Sequence, residues 1–182
     1  MIRAILLLSV IFTLSSQQYK LTKVKINKDI TLKLPSDFTP VPSDEIASKY
    51  MSYRTPLALY SNLTKSTDFS VNYSVSKWQS NDLELVQSFY KSNISNLFDS
   101  VEFLDESIES INERDFIIFE FNSTISEAQS SLRENSYVKK YYYIQYALKD
   151  GHVFIFSLSA PAGEASIWRP IFKDIMHSVT LK

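Results

Sequence analysis

Two segments of the chain alternate apolar and polar residues with a period of two, which is the spacing of a strand with one buried face. In residues 69–75, Phe, Val and Tyr alternate with Ser and Asn. In residues 24–34, Val, Ile and Leu alternate mainly with Lys and Thr around the polar turn Asn27-Lys28-Asp29, which predicts a hairpin. Both segments are typical of antiparallel sheets that have one buried and one wet face.

Further apolar runs predict the rest of the sheet, at residues 57–63, 101–111, 114–122, 137–148 and 152–159. Asn112-Glu113 and Asp150-Gly151 lie between pairs of these runs and predict two hairpin turns, the second because glycine tolerates a positive φ. Residues 116–119 are apolar on both faces, so we expect a central strand that is covered on each side.

Apolar residues at helical spacing predict two amphipathic helices. The first covers residues 81–98, where Asn81 and Glu84 match a capping box; its stripe is Leu83, Val86, Tyr90, Ile94 and Leu97. The second begins near Ser166, because proline belongs in a first turn and Pro170 follows closely; its stripe is Trp168, Ile171, Ile175 and Val179. A short helix is also predicted at residues 43–50. The pattern therefore predicts an α+β fold, an antiparallel sheet sandwiched between helices.

The N-terminus has the three zones of a secretory signal: Arg3, an apolar run over residues 4–14, and a small-residue exit at Ser15 and Ser16. The run is too short to cross a bilayer, and the alternative is a buried N-terminal helix. We expect residues 1–16 to be a cleaved signal peptide and residues 19–182 to form a single α+β domain. The chain has 0 Cys and so lacks the lipid-bearing residue of a lipoprotein, which predicts a secreted or periplasmic product.

Composition narrows the possible chemistry. The 182 residues are 45% hydrophobic and 21% charged, as in a globular protein, and the net charge of −1 provides no basic field to hold nucleic acid. With Gly 2 and His 2, neither a glycine-rich phosphate loop nor a His-only metal site can be built. We therefore predict no catalytic, cofactor-binding or metal-binding residue, and membrane contact only for export.

Acidic residues cluster between positions 99 and 120, where two carboxylates could serve a glycosidase-like hydrolase. The alternative is a solvated hairpin edge, where charge discourages strand-to-strand aggregation. The cluster comprises Asp99, Glu102, Asp105, Glu106, Glu109, Glu113, Asp115 and Glu120. Basic residues near the N-terminus could pair with this hairpin or face a partner: Lys20, Lys23, Lys25, Lys28 and Lys33.

Tyrosines concentrate in the strand predicted at residues 137–148: Tyr137, Tyr141, Tyr142, Tyr143 and Tyr146. Tyr142 and Tyr146 share one face and Tyr141 and Tyr143 the other, so the rings form either a binding platform or a core covered on both sides. Packing roles are the first interpretation of Trp78 and Trp168. His152 and His177 are first interpreted as surface residues.

The order of elements also resembles a known superfamily. The early strand ends in Pro35-Ser36-Asp37-Phe38, and the chain closes with a strand at residues 154–161 and a helix that contains residues 170–178. This resembles the PsbP-like superfamily, which includes the Ran-binding Mog family, over residues 24–181. The resemblance implies an antiparallel sheet sandwiched between helices and a non-enzymatic, protein-binding role. It assigns no site residue, because its members bind quite different partners.

Together these features predict an exported, non-enzymatic binding or accessory protein that acts through protein–protein or ligand contacts. The alternatives are an extracellular hydrolase that uses paired carboxylates from residues 99–120, and a carrier with a ligand cavity under the helices.

The export prediction is tested by sequencing the N-terminus of the mature protein from its source. We expect a new N-terminus near residues 15–17, because signal peptidases cut after small residues. An intact Met1 on the mature protein would contradict it.

Overall fold

Two antiparallel sheets dominate the computed structural model, which describes residues 19–42, 45–46, 55–126 and 137–182. The predicted signal peptide lies outside the described residues, as does most of the helix predicted at residues 43–50; Glu45 and Ile46, which are described, are helical. The strands are β1 (Leu21–Lys25), β2 (Ile30–Pro35), β3 (Thr39–Pro40), β4 (Ala58–Ser61), β5 (Asp68–Val75), β6 (Ser100–Ile111), β7 (Arg114–Ser126), β8 (Tyr137–Lys149), β9 (His152–Pro161) and β10 (Thr180–Leu181).

The large sheet has the strand order β3-β4-β5-β9-β8-β7-β6, and the small sheet has the order β1-β2-β10. Both predicted turns of the large sheet are confirmed. Asn112 and Glu113 join β6 to β7 with φ of 49° and 64°, and Asp150 and Gly151 join β8 to β9 with φ of 48° and 71°. Positive φ at both central residues gives a two-residue turn the twist that antiparallel strands require.

The large sheet buries both of its faces. On one face, helix α1 (Leu83–Leu97) packs Val86 and Ile94 against Ile117, Phe119, Phe121 and Tyr146. On the other face, helix α2 (Ala165–His177) packs together with β2 against Phe116, Ile118, Tyr141 and Phe156. Because side chains alternate along a strand, β7 and β8 contribute to both cores. Within the described residues, neither helix is long and apolar enough to span a membrane.

The α+β class and the antiparallel sheet agree with the sequence prediction, but sheets dominate more than expected. The second face is covered by α2 and by the small sheet, not by a helix alone. The hairpin of β1 and β2 was predicted, whereas its separate sheet was not. That sheet is completed by β10, whose residues Thr180 and Leu181 pair with Thr31 and Ile30. A strand of two residues is too short to show any periodicity.

Several details of the predicted helices were wrong. Helix α1 begins at Leu83, and Asp82 rather than Asn81 precedes it; no side chain caps its N-terminus. The Asp82 carboxylate instead accepts a hydrogen bond from the backbone N–H of Gln79 at 2.8 Å. Leu97, at the last position of the helix, is 70% exposed, although it was expected on the buried stripe.

Helix α2 also differs from its prediction. It begins at Ala165, directly after a 3₁₀ turn at Ala162–Glu164, so Pro170 lies in its second turn and not its first. Its buried face adds Phe172 and Met176 to the predicted stripe. The strand predicted at residues 57–63 is the shorter β4, and Leu63 beyond it is 77% exposed.

The packing of α1 can be tested with a matched pair of substitutions. Ile94 is 4% exposed and Leu97 is 70% exposed on the same helix. We expect Ile94→Ala to lower the free energy of unfolding by about 2–4 kcal/mol, because it leaves a cavity against the sheet. Leu97→Ala should change it by less than about 0.5 kcal/mol. Urea denaturation followed by circular dichroism measures both, and equal losses would contradict the assignment of the buried face.

Candidate functional site

Three of the predicted carboxylates meet where the outer strands pass under α2. The strand register places Asp105 of β6 opposite Glu120 of β7, and Glu120 opposite Tyr143 of β8. Glu109, four residues further along β6, lies on the same face of the sheet because side chains alternate. These four side chains form the floor of a cleft of about 400 Å³. The helix supplies its wall with Arg169 and Lys173.

Glu120 is the buried carboxylate of the cleft, with 5% of its surface exposed. Arg169 holds it with two nitrogens, Nε at 2.5 Å from Oε1 and Nη2 at 3.2 Å from Oε2. The Tyr141 hydroxyl donates a third hydrogen bond to Oε1 at 3.0 Å. A buried charge needs such partners, since an unpaired one is strongly destabilising. The oxygens of Glu120 are therefore engaged in holding α2 to the sheet.

Burial and the nearby carboxylates also raise the pKa values of the two tyrosines on this face, Tyr141 and Tyr143. Burial raises the pKa of Tyr141 strongly, and the neighbouring charge of Glu120 adds to the effect. Burial also raises the pKa of Tyr143, with further contributions from Glu109, Glu120 and Asp105. Both groups therefore stay protonated over the physiological pH range.

Tyr143 differs from Tyr141 in the hydrogen bonding of its hydroxyl. The residue is 3% exposed, yet its hydroxyl makes no hydrogen bond to any of the described residues. Around it, Asp105 accepts a hydrogen bond from the Ser107 hydroxyl at 2.8 Å, and Glu109 lies 3.3 Å from Nε2 of His177. The floor of the cleft thus offers a free hydroxyl between carboxylates.

Arg169 and Lys173 are the site residues that the sequence reasoning missed. They are one turn apart on α2, and His177 follows after another turn, so all three lie on the side of the helix that faces the acidic strands. The spacing of four residues was visible in the sequence. Among the described residues Lys173 forms no ion pair, and its side chain is exposed.

The other predicted carboxylates are dispersed over the hairpin. Asp99 accepts hydrogen bonds from the backbone N–H and the hydroxyl of Ser126, and these bonds lower its pKa. Glu106 points to the opposite face of the sheet and pairs with Lys91 of α1 at 2.8 Å. The remaining members lie outside the cleft: Glu102, Glu113 and Asp115. The prediction of a charged hairpin edge holds for them.

The tyrosines of β8 mainly pack in the two cores and do not form an exposed binding platform. Tyr141 and Tyr143 are buried on the α2 face, and Tyr146 is buried against α1, where its ring stacks on Tyr90 with centroids 4.0 Å apart. Tyr137, at the end of β8, is exposed.

The predicted packing roles hold for the tryptophans. Trp168 is buried between Phe38 and Phe172, and the half-buried Trp78 packs beside Phe89. His152 lies at the β8–β9 turn, with Nδ1 at 2.8 Å from the Asp150 carbonyl oxygen.

The predicted basic residues do not pair with the acidic hairpin. In the part of the chain that the structure describes, none of them forms an ion pair: Lys20, Lys23, Lys25, Lys28 and Lys33. They lie on and beside the small sheet. No cluster of three or more His, Asp or Glu side chains within the described ranges is arranged to hold a metal ion.

The architecture is that of the PsbP/Mog1 fold, as the resemblance in the sequence predicted. The cyanobacterial PsbP protein CyanoP of Synechocystis sp. PCC 6803 superposes with a TM-score of 0.63 at 10% identity, over 92% of this chain and 96% of its own. The Ran-binding protein Mog1p of Saccharomyces cerevisiae superposes with a TM-score of 0.59 at 12% identity, over 90% of this chain and 96% of its own.

A third similar structure is LpqN of Mycobacterium tuberculosis, described as involved in cell envelope biogenesis. Its TM-score is 0.52 at 13% identity, over 90% of this chain and 91% of its own. No protein-family model matches the sequence, and no curated protein matches it either. At these identities the likeness establishes the fold and leaves the function to the site.

The role of Arg169 can be tested against Lys173 on the same helix. We expect Arg169→Met to lower the free energy of unfolding by about 1–3 kcal/mol, because it leaves the buried Glu120 carboxylate without its ionic partner. Lys173→Met removes a charge at an exposed position and should cost less than about 0.5 kcal/mol. Urea denaturation at neutral pH compares the two, and an Arg169 variant as stable as the Lys173 variant would contradict the structural role of the pair.

Proposed function

We propose that this protein is an exported, non-catalytic accessory protein that binds a partner protein at the cleft between β6 and α2. The observation that carries the proposal is that the buried carboxylate of the cleft is fully engaged within the fold, whereas the carboxylates at its open edge are not. Arg169 and Tyr141 engage the buried carboxylate of Glu120. Asp105 and Glu109 line the open part of the cleft at the edge of the sheet, and the nearly buried Tyr143 lies between them and Glu120. Such a surface presents polar groups that a partner protein can contact.

The alternative of a carboxylate hydrolase is less well supported by this geometry. A glycosidase needs one carboxyl group that is desolvated and free to give its proton to the leaving group. Glu120 is the desolvated member of the cleft, but both of its oxygens already contact Arg169. Asp105 and Glu109 lie in an open cleft beside Ser107 and His177, where water solvates them.

The similar structures support a binding role without assigning one. Mog1p is described by its binding of Ran, and LpqN by its part in cell envelope biogenesis. The location proposed here rests on the signal-like sequence of residues 1–16, which favours a secreted or periplasmic product with residues 19–182 as its mature domain.

Site-specific photocrosslinking in the source organism tests the proposed function. A photoreactive amino acid in place of Lys173, exposed on the helix wall of the cleft, should give a discrete covalent adduct with another protein in the exported fraction. The same amino acid in place of Leu63, exposed beyond β4, should give none. The adduct should disappear when Asp105→Lys and Glu109→Lys are added. Equal adducts at both positions, or none at Lys173, would contradict a binding role for the cleft.

A further inference from the structure

Strand β6 is an unusually long edge. It is the outermost strand of the large sheet and has 12 residues, whereas β3 at the opposite edge has two. β7 pairs with one side of β6, and no strand in the described part of the chain pairs with its other side. An edge of this length exposes backbone N–H and C=O groups that can pair with an added strand.

The charge on β6 restricts which strand can be added. The strand contains four carboxylates and no basic residue: Glu102, Asp105, Glu106 and Glu109. A register shift between Phe103 and Asp105 interrupts the pairing of β6 with β7 in the first half of β6. Like charges placed opposite each other are destabilising, so acidic strands are rejected and neutral ones gain nothing from the charge. A strand with basic side chains is complementary to this edge.

The cleft explains where a basic side chain of such a strand would lie. Asp105 and Glu109 point from β6 toward the α2 face, as would every second residue of a strand paired beside them. The Tyr143 hydroxyl, nearly buried and without a hydrogen-bond partner among the described residues, opens into the same space. Its oxygen can accept a hydrogen bond from an ammonium or guanidinium group.

We propose that the partner of this cleft is an extended peptide segment with basic residues at alternate positions, which adds to β6 as a further strand and inserts a Lys or Arg side chain beside Asp105, Glu109 and Tyr143. This inference rests on the proposed function and specifies its partner. Backbone pairing supplies the orientation, and the carboxylates select the charge. Lys173 on the helix wall, which forms no ion pair with any described residue, repels the inserted charge.

A fluorescent peptide of sequence Lys-Val-Lys-Val-Lys-Val-Lys provides the direct test, with binding measured by fluorescence anisotropy at low salt. We expect saturable binding that weakens as salt is added. The peptide with Glu in place of Lys should not bind. Equal binding of both peptides, or no binding of either, would overturn the inference. Adducts at Lys173 together with no binding of either peptide would overturn it and leave the proposed function standing.

Substitutions in the protein locate the binding. The double variant Asp105→Asn with Glu109→Gln should bind the basic peptide about tenfold more weakly, because two partly solvated charges are removed. Glu84→Gln with Asp174→Asn makes the same change in net charge at exposed positions outside the cleft and should leave binding unchanged. Lys173→Met should tighten it. Equal losses in the two double variants would show non-specific attraction and overturn the assignment.

Backbone methylation of the peptide separates strand addition from simple charge attraction. Along an added strand, only every second residue directs its N–H at the neighbouring strand. Two peptides are compared, one N-methylated at the valines and the other N-methylated at the lysines. One of them should lose binding and the other should keep it. Equal affinity of both methylated peptides would overturn strand addition, because charge attraction does not depend on which N–H is blocked.

Discussion

The structure depends on the covering of the central strands on both faces. Alternate residues of β7 enter different cores, Phe116 and Ile118 on the α2 side and Ile117 and Phe119 on the α1 side. Each large apolar side chain stabilises the fold by about 1.5–3 kcal/mol when it is removed from water. A sheet that is apolar on both faces requires cover on both. Helix α1 supplies one layer, and α2 with the small sheet supplies the other.

The same constraint accounts for the cleft. Glu120 interrupts the apolar residues of β7 that face α2, so its charge can be buried only where partners reach it. Arg169 reaches it from α2 and Tyr141 from β8. One strand further out, the same row of the sheet is no longer covered, and Asp105 is exposed. The site lies at this transition from covered to open sheet.

The parts of this arrangement that were predictable from the sequence are the ones with a repeated signal. The alternation in β5, the split of the tyrosines between two faces and the two tight hairpin turns each follow from side-chain period or from backbone preference. The buried face of α1 was predicted less well. Leu97 continued the stripe in sequence, but it lies where the helix ends and the sheet no longer covers it.

The site itself was only partly predictable, because it is a property of register and not of composition. The acidic cluster could be read from the sequence, but the selection of Asp105, Glu109 and Glu120 depends on the pairing of β6 with β7 and on the register shift after Phe103. Arg169 lies 49 residues from Glu120 along the chain, and no local pattern joins them. A fold can be retained when almost every residue changes, provided that the buried positions stay apolar. The solvent-facing groups of β6 carry no such restriction, so the charge along this edge can change without loss of the fold.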